Sequence, residues 1–380
     1  MPRSGGFRKT LQGYRAFYPA SLPPINLEGD LGLMLSQADQ ALGAINTVAS
    51  VLPNPELLVG MFIQKEALLS SQIEGTQSSL VDVLGIAEDQ EPTVDVGEVV
   101  NYVNAMHYGL RRLREGEFPM SLRLLREIHA VLMQQVRGGK PALTPGEFRT
   151  SQNWIGGTNL QNARFVPPPV DEMKTLLGEF EEYMHLDDDL PILVKCALIH
   201  YQFETIHPFN DGNGRLGRLL ITFFLVWRNV LDEPMLYLSA YLKAHQQEYY
   251  DRLTQVRVDG NFEAWVRFFL EGVITVSEQV INTTRRLQHL EREDTDRLIQ
   301  SPVGLNGLLL MRLLMRQPVV RVKDVQNALS ISYNNANALI AKAQALGILE
   351  QTSSVRRNRK FLYREYIAIL AEGTELNVGF

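Results

Sequence analysis

A single cysteine, Cys196, stands in 380 residues. That excludes an internal disulfide framework and a zinc site built from several thiolates, and it makes a reducing cytoplasm the expected compartment. Long hydrophobic runs are also missing. The longest, Leu219 to Trp227 with Thr222 interrupting it, falls far below the ~20 residues of a membrane-spanning helix, so no membrane partner is expected. The start, Met1 to Thr10, is polar and basic, without the apolar stretch of a secretory signal behind it. Internal repeats and low-complexity tracts are absent. With 45% hydrophobic and 21% charged residues the composition is that of an ordinary folded chain, which excludes long disorder and fibrous architecture. At about 150 residues per domain, the length suggests two to three domains.

Charge is unevenly spread. Ser301 to Leu370 carries ten Lys+Arg against three Asp+Glu, so the net charge of -6 divides into about +7 there and about -13 on the rest. Ahead of that stretch the patterning is mostly helical. An arm with Pro19, Pro23 and Pro24 leads to a helical pattern on Leu31, Leu35, Ala38, Leu42 and Ile45. Asn54-Pro55-Glu56 is a helix start, because proline at the first helical position loses no needed N–H and a carboxylate suits the positive end. This helix runs through Leu57, Met61, Lys65 and Leu68 and stops near Gly75. Further helices are predicted at 99–115, at 122–137 with Ser121 as cap, and at 173–183, 192–205, 215–228, 242–256 and 262–290. The charged stretch Glu291 to Arg297 is the expected boundary. Gly146 to Pro169, with Gly156-Gly157 between short apolar pieces and three prolines at its end, reads as a small hairpin or flap.

The helical pattern breaks at residues 207–218, HPFNDGNGRLGR. Gly212 and Gly214 let the backbone turn and come close to a ligand, and the helix that follows points free N–H groups and its positive end into the turn. This is an anion cradle. Arg215 and Arg218, three apart, share a helix face and can add charge-assisted bonds to phosphate oxygens. Asp211 offers a hard carboxylate oxygen beside it, suited to Mg²⁺ held jointly with phosphates. His207 is the nearby group whose ordinary pKa suits proton abstraction near neutrality. His200, two turns earlier, lacks the i, i+4 geometry that would make it a second metal ligand with His207.

HPFNDGNGRLGR matches the signature His-Pro-Phe-x-Asp-Gly-Asn-Gly-Arg-x-x-Arg of the Fic family. The flap GGTNLQNARFVPPP, the segment KEALLSSQIEG and the arm YRAFYPASLPPIN also resemble the surroundings of this signature in stand-alone bacterial Fic proteins, so the similarity covers most of residues 14–275. The resemblance implies transfer of AMP from ATP to a hydroxyl side chain of a target protein, with Mg²⁺. It implies that His207 deprotonates the target Ser, Thr or Tyr and that Asp211 holds Mg²⁺. Gly212, Asn213, Gly214 and Arg215 would then hold the α- and β-phosphates, Arg218 would contact the γ-phosphate, and Phe209 would anchor the loop. Ser70-Ser71-Gln72-Ile73-Glu74-Gly75 resembles the family's inhibitory motif, with Ser70, Glu74 and Gly75 at its specified positions. A carboxylate at a helix C-terminus needs a cation from elsewhere, and Arg218 is the candidate. The flap edge would pair with an extended segment of the target. A homodimer is a further expectation from the family.

The basic C-terminal stretch reads as helix (305–316), helix (322–329), turn, helix (333–346) and two short strands (348–351, 361–363), which looks like a winged helix-turn-helix. Asn334, Asn335 and Asn337 start its third helix, and Arg356, Arg357, Arg359 and Lys360 fill the wing, a set suited to DNA. Protein docking is the competing use. The expected fold is therefore mainly α, a Fic-type helical domain with a β-hairpin flap plus a C-terminal winged helix. Its parts are an arm with the inhibitory helix (1–97), a catalytic domain (98–290) and the winged helix (301–370). The rival functions are a nucleotide-sensing DNA-binding regulator and a hydrolase that removes AMP through the same pocket.

Overall fold

The computed structural model of the chain describes residues 2–23, 25–50, 55–84, 93–116, 119–134, 144–352 and 359–375. Strands β1 (Gly5–Lys9) and β2 (Arg15–Pro19) form an antiparallel hairpin, with Phe7 opposite Phe17. Helices α1 (Asp30–Ser50), α2 (Pro55–Ile73), α3 (Leu80–Val83), α4 (Val94–Arg114) and α5 (Leu122–Leu132) follow. Then come α6 (Val170–His185), α7 (Ile192–Ile206), α8 (Asn213–Trp227), α9 (Ser239–Ala244), α10 (Gln246–Asp259) and α11 (Phe262–Ile299). The C-terminal part contains α12 (Leu305–Arg316), β3 (Val319–Arg321), α13 (Val322–Leu329), α14 (Tyr333–Ala345), β4 (Glu350–Gln351), β5 (Lys360–Leu362) and α15 (Arg364–Ala371).

The fold is mostly helical, and its centre is α7. Every residue from Leu193 to Ile206 is buried, the polar Lys195, His200, Gln202 and Glu204 included, as for a helix enclosed by others on all sides. Helices α6, α8 and α11 pack around it, and the Trp265 indole N–H of α11 donates to the Ala197 carbonyl at 2.8 Å. Helix α1 lies along α11, while α2 packs on α4, α8 and α9. Helix starts follow the predicted caps: α2 opens on Pro55, and the Ser121 hydroxyl accepts from Leu124 N at the start of α5. Among the described residues no helix is long and apolar enough to cross a membrane.

Three details depart from the sequence-based reading. The only strand hairpin ahead of residue 300 among the described residues lies in the N-terminal arm, and it supports the flap through Phe17 N donating to the Val166 carbonyl at 3.0 Å. The flap itself pairs only at Ile155 and Phe165. Pro167, Pro168 and Pro169 lack the N–H groups to extend that ladder, and the Asn159 and Asn162 side chains close the tip. Helix α11 does not stop at Glu291 but continues through the charged stretch to Ile299. Buried Asp294 explains this, since it is bonded to Arg297 and to the Tyr363 hydroxyl from the C-terminal part.

In that C-terminal part α12, α13 and α14 stand where predicted, and β3 adds a third strand in the order β3-β5-β4. Ala336, Leu339, Ile340 and Ala343 form the buried face of α14, and Ser332 caps it. The residues after α15 return to α2. Lys65 Nζ donates to the Glu372 carbonyl at 2.7 Å and Gln72 Nε2 to the Thr374 carbonyl at 3.1 Å, while Arg286 grips the Glu372 carboxylate with two bonds of 2.6 Å.

Candidate active site

Helix α7 ends at His207, which adopts a left-handed conformation (φ 50, ψ 61) and so turns the chain sharply out of the helix. The loop that follows is fixed from several sides. Phe209 is fully buried, with its ring stacked on His129 at 3.8 Å. The Asn213 side chain closes the loop on itself, accepting from Phe209 N at 2.9 Å and donating to the Phe209 carbonyl at 2.8 Å. Asn153 Nδ2 donates to the same carbonyl. Buried Arg149 donates from Nε to the His207 carbonyl at 3.0 Å and from one terminal nitrogen to the Pro168 and Ile206 carbonyls. Burial lowers its pKa to about 10, which leaves it charged at neutrality. His129 accepts the Gly146 N–H at Nδ1, so Nε2 carries the proton and donates to the Asp211 carbonyl at 3.0 Å.

At Gly212 the backbone has φ 76, and a Cβ there would stand 2.5 Å from the Met133 sulfur. Conformation and space both require glycine at that point. Helix α8 then starts at Asn213, with its first-turn N–H groups free of partners within the helix. Asp211 is exposed, and one of its carboxylate oxygens accepts the Gly212 N–H at 2.6 Å. Among the described residues no cluster of three or more His, Cys, Asp or Glu forms an all-protein metal cage. A lone carboxylate beside an anion cradle fits Mg²⁺, which takes its remaining ligands from phosphates and water.

The two arginines do not act as one pair. Buried Arg215 reaches the Glu98 carboxylate on α4 at 3.3 Å and the Met133 sulfur at 3.7 Å. Arg218 turns to α2, where Nε donates to the Ser70 hydroxyl at 2.7 Å and a terminal nitrogen donates to the Ser70 carbonyl and, at 2.7 Å, to the Glu74 carboxylate. Burial opposes the Arg218 charge, but the Glu74 carboxylate together with Tyr249 and Tyr250 outweighs it, and the net shift of its pKa is upward. Gly75, with φ 96, ends α2 and releases the chain just past Glu74. Glu74 is placed with some precision. A Cβ on Gly214 would lie 2.1 Å from its Oε1, so this carboxylate rests on the first turn of α8, the position an anion favours.

His207 is mostly buried and pinched between cations. Burial, then Arg257 and Arg149, lower its pKa to about 3. The buried Glu204 carboxylate lies 3.8 Å from its Nδ1, and burial raises the Glu204 pKa to about 7. His200 has both ring nitrogens engaged, Nδ1 with the Gly217 carbonyl at 2.9 Å and Nε2 with the Tyr249 hydroxyl at 2.8 Å. Trp154 is 40% exposed on the flap, whereas Phe165 is buried under the Arg257 guanidinium at 3.8 Å.

The structure thus brings together His207, Asp211, Gly212, Asn213, Gly214, Arg215, Arg218, Ser70, Glu74 and Gly75. The candidate DNA residues lie elsewhere. Asn334 and Asn335 are exposed on the first turn of α14, and Arg359 donates to the Asn337 side chain at 2.7 Å. Lys360 is half-buried in β5, and Arg356 and Arg357 lie outside the described residues. His129, Arg149, Asn153, Glu204 and Arg257 support the site without having been singled out from the sequence. Each acts across a long separation in the chain or from within an apolar helix, where no short motif marks it.

Comparison with known proteins finds similarity to Fic proteins in sequence and in fold. The Fic/DOC family model matches residues 119–225, which include the loop, and the Fic/DOC N-terminal model matches residues 33–111, which include Glu74. The chain is similar to the protein adenylyltransferase Fic of Aedes aegypti, 28% identical over 268 residues, or 67% of this chain and 48% of that protein. It is similarly related to the one from Culex quinquefasciatus, 29% identical over 60% of this chain and 44% of that protein. It therefore spans less than half the length of these curated relatives. In fold it resembles a Fic family protein from Desulfovibrio desulfuricans, with a TM-score of 0.57 at 19% identity over 90% of this chain and 98% of that one. A Fic domain containing signaling protein from Bacteroides thetaiotaomicron gives 0.50 at 18% identity, over 66% of this chain and 97% of that one.

Proposed function

The chain belongs to the Fic/DOC family, and from that premise we propose that it is a protein adenylyltransferase that moves AMP from ATP to a target hydroxyl and is held in check by Glu74. One observation supports the reading above others. The Glu74 carboxylate rests on Gly214 at the start of α8 and is bonded to Arg218, so an anion supplied by the chain itself stands in the cradle where a nucleotide phosphate would lie. In this reading the γ-phosphate takes the Arg218 contact once Glu74 leaves, and the first-turn N–H groups of α8 bind the α- and β-phosphates. His207 removes the proton from the target Ser, Thr or Tyr as its oxygen attacks the α-phosphorus, and pyrophosphate departs in line. With Glu74 in place, ATP lacks its outer anchor and its α-phosphate is misaligned. Asn213 serves by holding the loop, because its amide is engaged there at both ends. Asp211 is the residue to hold Mg²⁺, which when bound would neutralise phosphate charge.

The test is incorporation of label from α-labelled ATP, with γ-labelled ATP as control, into the protein and a host lysate. Label from the α position only, raised by Glu74→Gly and abolished by His207→Ala, is the expected result. Measurable ATP binding with no label under any condition overturns it in favour of a nucleotide sensor. For the C-terminal part, a winged helix with DNA contact through Asn334 and Asn335 on α14 is the matching proposal. Polarisation titration of the full chain with mixed duplex DNA tests it, and a signal without salt dependence removes it.

A further inference from the structure

His207 needs help that the loop signature does not provide. During transfer it must carry a positive charge, yet Arg149 donates to its backbone, Arg257 and Arg149 both oppose a charge on its ring, and its buried Nδ1 makes no hydrogen bond of good geometry. One turn earlier on α7, the Glu204 side chain turns back toward this ring. Its Oε2 is 3.8 Å from Nδ1, its Oε1 is also buried without a partner, and the residue is 6% exposed. Two partnerless polar atoms, one on each of two adjoining side chains in a dry interior, call for an explanation, since each one costs desolvation unless it acts.

Space for this carboxylate is made by α8. A Cβ on Gly217 would stand 2.4 Å from Glu204 Oε1 and 3.2 Å from the Phe203 ring. The Gly217 backbone is ordinary helix, so the missing side chain serves room and not conformation. Position 217 is also one that the Fic signature leaves open.

We infer that Glu204 is a positioning residue that directs the Nδ1–H of His207 toward itself, leaves Nε2 free for the target hydroxyl, and balances the imidazolium that forms. The inference rests on the AMP-transfer reading. In the step, the target O–H bond breaks and its proton goes to His207 Nε2, the oxygen–α-phosphorus bond forms, and the bond to the β-phosphate breaks with the electron pair leaving on pyrophosphate. Glu204 takes no proton. It stays ionised beside Nδ1–H, as a carboxylate behind a catalytic histidine does in acyl transfer. The Glu204 backbone carbonyl lies on the same side of the ring and favours the same tautomer.

The groups that set the ionisation of Glu204 are all nearby. Burial raises its pKa to about 7, Arg218 and Arg257 act downward, and Glu74 acts upward. The Tyr249 hydroxyl on α10 and His207 itself complete its surroundings. AMP transfer should therefore require a group that loses its proton near neutrality, and that group is Glu204, because His207 is already unprotonated there.

The experiment uses the full chain in a Glu74→Gly background, with Glu204→Gln, Glu204→Asp and Gly217→Ala added singly and thermal unfolding followed for each. Because Glu74, which acts upward on Glu204, is gone from this background, the parent rate should rise with pH through a midpoint below the value of about 7 that holds with Glu74 in place. Glu204→Gln should lose about 10- to 100-fold at alkaline pH with KM for ATP unchanged, and lose the step in the profile. Gly217→Ala, which keeps the carboxylate but displaces it, should follow Glu204→Gln, while Glu204→Asp keeps part of the step. An unchanged rate, or an equal loss at every pH with the step intact, overturns the inference. The second readout is proton NMR of the chain with Glu74 in place. A far-downfield imidazole N–H signal that is absent in His207→Ala should move upfield in Glu204→Gln. Its failure to move overturns the contact. Absence of AMP transfer in Glu74→Gly alone would refute the function and leave this spectrum to decide the Glu204–His207 pair.

Discussion

Removing the Glu74 carboxylate tests the site most directly, and its effect on nucleotide binding can be worked from the contacts. Arg218 is 2% exposed and keeps two bonds to Ser70 whether or not Glu74 is present, so the substitution removes one charge-assisted bond of 2.7 Å without freeing the guanidinium to wander. Such a bond is worth about 1.5–3 kcal/mol when well shielded. The Glu74 side chain is 37% exposed, so solvent screening brings the figure to about 1–2 kcal/mol. An incoming phosphate must displace that bond in the wild type and not in Glu74→Gly. At 1.4 kcal/mol per factor of ten, a non-hydrolysable ATP analogue should bind Glu74→Gly about 5- to 30-fold more tightly by calorimetry. Glu74→Gln, which keeps an acceptor and loses the charge, should fall between the two. The rate of AMP transfer should rise by more than the affinity, because alignment of the α-phosphate is gained as well. Equal dissociation constants for wild type and Glu74→Gly would refute the reasoning whatever the rates, since the carboxylate would then not compete with phosphate.

Gly212→Ala should weaken binding of the analogue and lower stability by about 1–3 kcal/mol, because φ 76 and the 2.5 Å approach to the Met133 sulfur both oppose a methyl group. Adding Met133→Ala should recover the packing part only, and full recovery in urea titrations would show that conformation does not matter there. His200, whose pKa burial lowers to about 4, is unprotonated in the folded chain and takes up a proton in the unfolded chain below its ordinary value of 6.5. Its contribution is therefore present above pH 6.5 and is lost as pH falls toward 4, by about 2 kcal/mol at about pH 5. His200→Gln should flatten that part of the stability profile, and an unchanged slope would sink the assignment. Ending the chain after Ala371 removes the Glu372 carbonyl that accepts from Lys65 and one of the two carbonyls that accept from Gln72, so amides at the end of α2 should exchange faster with solvent. Unchanged exchange would mean that packing alone holds the inhibitory helix.

The helices around the site were legible because their signals are local. The apolar run of α7, the break at His207 and the Gly-rich restart of α8 are all contained in some thirty residues, and Asn54-Pro55-Glu56 marks the start of α2 with three. What the sequence hid depends on partners far along the chain. Glu291 to Arg297 has the composition of a boundary, and it stays helical because Asp294 meets Tyr363, 69 residues away. Arg149 has no distinguishing neighbours, yet it holds three carbonyls, those of Pro168, Ile206 and His207, from up to 58 residues away. The three prolines of the flap were read as an end to a hairpin, and they cut its pairing to one residue on each side.

The arginine pair shows where spacing stops being informative. A separation of three residues does place Arg215 and Arg218 on neighbouring surfaces of α8, but which ligand each can take is decided by the acid that holds it. Glu98 sits within the first turns of α4, is buried, and also accepts from the Thr76 hydroxyl at 3.0 Å. Withdrawing it would strand two buried groups, so Arg215 is tied to the scaffold. Glu74 stands past the last residue of α2, where the helix dipole disfavours it, and it is partly open to water. It can leave at small cost and be rehydrated. Of the two arginines in the signature, Arg218 is the one whose partner can be exchanged for a phosphate, and so the one through which nucleotide binding is regulated in the proposed enzyme.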